Sequence, residues 1–208
     1  MMLDDLKRMI DEHKGIFYCR RRSSDGEIIK KKVSFTHVYQ DPEHSPSIPD
    51  IGDIRSFYSI FGNLTLYFDQ KSGDAAFYIA RPEEWDGLLE CFNNWMEDII
   101  DEDPDWLPYW VSNCIAVGEI PTSGNYLLVP LTGDKKGHVY EFDHDGYEFK
   151  EHGSNVEEFI RKSLKPDEEL LTDIAAHMTF IENDPMDQWW IEEMQDNQGL
   201  IVKTVTYS

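Results

Sequence analysis

Few residues in this chain combine the types and spacing that chemistry needs. Asp143-His144-Asp145-Gly146 sets two carboxylates around an imidazole, the donor types of a divalent-cation site, and Asp at alternate places followed by Gly faintly resembles a calcium loop. The EF-hand form fails, because the glycine falls two places early and no glutamate stands at the twelfth place. A turn closing a strand accounts for the same four residues. A metal-dependent enzyme built on Asp143, His144 and Asp145 is the remaining enzymatic alternative. The seven histidines form no H-E-x-x-H pair, and the chain has no Walker glycine loop and no G-x-S-x-G elbow. We therefore expect no catalytic residues, no metal and no cofactor.

Binding chemistry is better represented. Asp98, Asp101, Glu102, Asp103 and Asp105 form the densest acidic run, at the end of a helix whose dipole disfavours carboxylates there, and Trp106 and Trp110 follow it. These seven residues are the candidate partner-binding set: steering charges with aromatic anchors beside them. The plainer reading of the run is a solvated helix end. Trp189-Trp190 is a second aromatic candidate, since tandem tryptophans on a helix place their rings on different sides, which can expose one; a core-plus-rim pair is the plainer reading. The three cysteines, Cys19, Cys91 and Cys114, have no C-x-x-C spacing, which fits a reduced compartment rather than a disulfide frame or zinc knuckle. Cys91 reads as a small packing residue of its helix.

The charge narrows the partner. Against 19 Lys+Arg the chain carries 41 Asp+Glu, a formal charge of −22, which repels nucleic-acid phosphates and anionic membranes and attracts a basic protein. The sign is not uniform. Residues 1–40 hold nine basic and six acidic residues, so they carry +3 and the remainder −25. Arg20-Arg21-Arg22 and Lys30-Lys31-Lys32 fall on the two arms of a hairpin, where cations guard an edge against unwanted strand pairing. The N-terminus is acidic where a signal peptide is basic, and no window reaches 18 uninterrupted apolar residues; the expectation is a cytoplasmic protein.

With 40% hydrophobic and 13% aromatic residues, 208 residues suffice for one core, and a single domain is expected. The periodicity predicts a helix over 2–14 stopped by Gly15, then a hairpin over 16–35 turning at Asp25-Gly26. A loop at 41–47 leads to a helix from Pro49 to Phe61. Strands follow at 64–68 and 75–79, and then a long amphipathic helix over 83–100 with Trp85, Leu88, Leu89, Phe92, Trp95 and Met96 on one face. Runs at 114–118, 125–131 and 137–142 read as an antiparallel meander. Ser154 with Glu157 reads as a capping box opening a helix to Leu164; a second helix over 167–181 and a last strand within 200–207 complete the series. The fold class is α+β, with a central, mainly antiparallel sheet packed by helices.

The order of several short motifs adds a further reading. Ile48-Pro49-Asp50 leads a helix that ends at Ile60-Phe61-Gly62-Asn63. Ile115-Ala116-Val117-Gly118 and Ser123-Gly124-Asn125-Tyr126-Leu127-Leu128 follow. Then come Gly137-His138-Val139-Tyr140-Glu141-Phe142-Asp143-His144-Asp145 and Asn155-Val156-Glu157-Glu158-Phe159-Ile160. In content and sequence order these resemble the SUKH superfamily, which includes the yeast cell-wall-synthesis regulator and many bacterial immunity proteins of polymorphic toxin systems. The resemblance covers residues 48–164, leaving the basic hairpin at 16–35 and an extension at 165–208 outside it. The long helix at 83–100 is not part of that pattern either. The resemblance implies a non-enzymatic protein-binding domain: an immunity protein neutralising a cognate toxin, such as a nuclease, which the charge suggests is basic. A regulatory or scaffold protein of the cell-wall type is the alternative.

Overall fold

The computed structural model describes residues 2–43, 48–102, 107–181 and 187–205, and among these the side chains of all but 2–4 and 98–102. The elements in chain order are α1 (Met2–Glu12), β1 (Gly15–Arg22), β2 (Ile28–Gln40), α2 (Ile54–Tyr58), β3 (Asn63–Phe68), β4 (Phe77–Ile79) and α3 (Trp85–Glu102). They continue with β5 (Cys114–Ile120), β6 (Asn125–Pro130), β7 (Val139–Asp143), β8 (Glu148–Gly153), α4 (Val156–Ser163), α5 (Glu168–His177), β9 (Trp190–Asp196) and β10 (Ile201–Lys203). The protein is α+β, and its antiparallel strands hydrogen-bond in the order β10-β9-β1-β2-β3-β4-β5-β6-β7-β8. The chain divides into two units, one of residues 39–64 and 78–162, the other of 2–38, 65–77 and 163–208.

The first unit holds the meander β5–β8, whose hairpin pairings run in sequence order. Strand β6 is buried at every position, as a strand covered on both faces must be. On one face α3 packs against β5, joining Phe92 and Met96 to Ala116, Tyr126, Leu128, Tyr140 and Phe142. On the other, His152 of β8 stacks near Phe159 of α4, ring centres 5.6 Å apart. The start of α4 is capped from a distance. Asp53, just before α2, accepts the N–H groups of Val156 and Glu157 at 3.0 and 2.7 Å, satisfying two donors that the helix itself leaves open. The local cap sits one residue later than the sequence pattern suggests: Asn155 Oδ1 accepts from Glu158 N at 2.8 Å, and Glu158 reaches back to Ser154 N at 2.8 Å.

The second unit is built on β10-β9-β1-β2, with α5 packed on β9 and β10. Its core gathers Leu6 and Ile10 of α1, Phe17, Val33, Phe35, Tyr67, Ile174, Ile191 and Met194, all under 5% exposed. Phe17 and Phe35 lie with ring centres 4.7 Å apart. Gly15 is required where β1 meets β9, because a Cβ there would stand 2.3 Å from the carbonyl oxygen of Gln195. Two strands went unforeseen, β8 and β9, and the predicted helix over 167–181 ends at His177. The basic hairpin is not an edge. β1 lies between β9 and β2, and β2 between β1 and β3, so edge protection does not explain its cations.

Candidate functional site

The outward face of β10-β9-β1-β2 follows directly from its register, since residues paired across antiparallel strands point to the same side. Lys32, Tyr18, Glu193 and Lys203 form one row across four strands. Lys30, Arg20 and Trp190 form the next, and Arg22 with Ile28 a third at the hairpin end. On the other side of the first row stand Ser34, Ile16, Gln195 and Ile201. The opposite face of the same strands carries Phe17, Cys19, Val33, Ile191 and Met194 into the core. Burial alternates because one face is packed and the other is not.

This open face contains a groove of about 630 Å3, lined among others by Tyr18, Arg20, Lys30, Lys32, Trp190 and Lys203. Three large apolar side chains stand exposed on it: Trp190 at 45%, Ile28 at 56% and Ile201 at 60%. The charged groups hold one another upright. Glu192 lies 3.3 Å from Arg20 and 3.4 Å from Lys30, Glu193 lies 3.7 Å from Lys203, and the Lys32 ammonium sits 5.0 Å from the centre of the Tyr18 ring. Tyr18 in turn donates its hydroxyl to Gln195 at 3.1 Å. Cys19 beneath the groove is no nucleophile, because burial pushes its thiol up to about 12.

Of the tandem tryptophans only Trp190 belongs to this site, through strand geometry rather than helix geometry. Trp190 opens β9 and turns outward, while Trp189 receives Arg21 and Lys31 over its ring at 5.0 and 5.3 Å. The acidic set expected to bind a partner is placed differently. The side chains of Asp98, Asp101 and Glu102, and all of Asp103, Asp105 and Trp106, lie outside the described residues. Trp110 is 4% exposed and stacks on Tyr140 with ring centres 4.5 Å apart, so it is a core residue of the first unit and not an exposed anchor. Cys91 is exposed on α3, where a packing role was expected.

Asp143, His144 and Asp145 come together at the β7–β8 turn, their ligand atoms within 4.8 Å of one another, the one such group among the described residues. The turn itself employs them. Asp143 Oδ1 accepts from Asp145 N at 3.1 Å, and His144 Nε2 lies 3.2 Å from Asp145 Oδ1. Asn125 orients the imidazole, with Oδ1 2.9 Å from His144 Nδ1 while its amide donates to Glu141 at 2.8 Å. Glu141 closes the buried chain with His152 at 2.6 Å. This is a polar network tying three strands.

A second network is buried in the other unit. His37 accepts the Tyr67 N–H on Nδ1 at 3.0 Å, so in its neutral form Nε2 carries the proton and donates to His13 Nδ1 at 2.7 Å. His13 Nε2 then faces Asp196 at 3.4 Å. Burial lowers the pKa of both imidazoles, that of His37 to about 3, so both are neutral at pH 7. His13 and Asp196 are almost wholly buried, and the triad serves the core.

No family model, curated protein or solved structure matches the chain. No helix among the described residues is long and apolar enough to cross a membrane.

Proposed function

We propose that the chain is a non-enzymatic protein-binding module that docks its partner on the open face of β10-β9-β1-β2, in the toxin-neutralising role of the immunity proteins its motifs resemble. The supporting observation is the exposure of Trp190, Ile28 and Ile201 together on one groove-bearing face. Full burial of a side chain of this size is worth roughly 1.5–3 kcal/mol, and a partner that covers these three, each about half exposed, recovers about half of that from each. Tryptophan and arginine, adjacent here as Trp190 and Arg20, are the residue types that dominate binding hot spots. The Asn125–Glu141–His152 network does not compete with this reading, since its members are buried and hydrogen-bonded to one another.

The test pairs capture with rescue. Tagged wild-type protein and a Trp190→Ala, Ile201→Ser variant are used to recover partners from the native host, and any partner held by the wild type alone is expressed with and without the chain. The expected result is a partner that arrests growth when expressed alone and is harmless beside the wild-type chain. Capture unchanged by the double variant would refute the docking face. A partner harmless in both conditions would refute neutralisation and leave a regulatory role.

A further inference from the structure

Resting on the protein-binding reading, we propose that the groove on this face receives an acidic, extended segment of the partner protein, with carboxylates at alternate positions. The local charge runs against the composition of the chain. Acidic residues outnumber basic ones 41 to 19 overall, yet the outward rows of β10-β9-β1-β2 carry Arg20, Arg22, Lys30, Lys32 and Lys203 against Glu193, with Glu192 of the β9 bulge beside Arg20 and Lys30. Five cations against two carboxylates leave a surplus of three positive charges. Glu192 is already shared between Arg20 and Lys30, and Lys203 takes Glu193. Arg22 and Lys32 have no carboxylate partner among the described residues; Lys32 has only the Tyr18 ring.

The spacing selects an extended ligand. Lys30 and Lys32 are alternate residues of one strand and so are rooted about 6.6–6.8 Å apart, the same repeat that separates alternate side chains of an extended segment. Carboxylates at positions i and i+2 of such a segment meet both ammonium groups at once. Arg20 and the half-exposed Trp190 in the same row as Lys30 offer a planar cation and an apolar surface to the next side chain along. A polyphosphate strand is the other polyanion that would suit a basic groove with aromatic residues. The formal charge of −22 on the whole chain opposes it, because phosphates extending past the groove meet the acidic remainder.

The inferred charge at the contact is thus opposite to what net charge alone suggests for a partner. The experiment is fluorescence anisotropy with the full chain and three probes: a labelled peptide of alternating glutamate and leucine, its glutamine counterpart, and oligothymidylate. Binding of the glutamate peptide, weakened by salt and lowered at least about tenfold by Lys30→Glu with Lys32→Glu, is the expected result. Lys203→Glu, on a different strand, provides an independent variant, and the melting temperature of each shows that it folds. Equal binding of the glutamine peptide, abolished by Trp190→Ala, would overturn the acidic specificity while leaving the docking face in place. Failure of both peptides at millimolar concentration would overturn the proposal at this face, and tighter binding of oligothymidylate would overturn the partner class.

Discussion

Mild acid should destabilise this protein through a single buried imidazole. His37 is mostly buried, and burial first, then the neighbouring His13, holds its pKa down to about 3 against an ordinary 6.5. Below pH 6.5 the unfolded chain takes up a proton that the folded chain refuses. The stabilisation is therefore fully present above the ordinary value and lost progressively as pH falls toward 3. The gap corresponds to about 5 kcal/mol in full, of which about 2 kcal/mol is lost between pH 7 and pH 5. His13 adds to the loss, since its pKa is also lowered by burial, although Asp196 beside it acts the other way. The assay is urea unfolding at the two pH values for the wild type and for His37→Asn, whose amide oxygen can still accept the Tyr67 N–H. Half-buried Asp74 and Glu119, whose pKa values are raised by desolvation, respond in the opposite sense but are common to both proteins and cancel in the difference. The wild type should lose about 2 kcal/mol more than the variant over this interval. Equal losses would refute the neutral, hydrogen-bonded assignment of His37.

Two further outcomes follow from the packing. Asp53→Ala should lower stability by about 1–2 kcal/mol, because it uncovers the Val156 and Glu157 N–H groups together, and Asp53→Asn should recover part of that loss in the same unfolding measurement. A thiol reagent should modify one cysteine in the native protein and three after denaturation: Cys91 is exposed, while burial keeps the Cys19 and Cys114 thiols protonated, at about 12 each. Mass spectrometry of the native product should locate the label on Cys91.

Sequence alone determined the elements whose patterns are local. The α3 stripe, the Asp25-Gly26 hairpin and the meander from Cys114 each depend on neighbours within a few residues, and each forms at its expected place, although Trp95 of the stripe is exposed beside His144 instead of buried in the core. The α+β class follows from them. Strands β8 and β9 were hidden because both carry a bulge. Opposite β1 the register shifts between Tyr18 and Cys19, so the inward residues Ile191 and Met194 fall three apart, a helical spacing inside a strand. Opposite β7 the shift between Val139 and Tyr140 interrupts β8 in the same way. Without β9 the basic hairpin has a free side, and its cations read as edge protection.

Only tertiary pairing gathered those cations onto one face. Tyr18 meets Gln195 across 177 positions of chain, and with β9 and β10 in place Lys30, Lys32, Arg20, Trp190 and Lys203 share one face. Trp110 shows the converse. Its type and its place beside the acidic run suggested an anchor, but strand β7 brings Tyr140 against it and closes it into the core. Composition registers how much charge and aromatic surface a chain carries. Which of it faces water depends on strand register, and contacts between residues far apart in the chain fix that register.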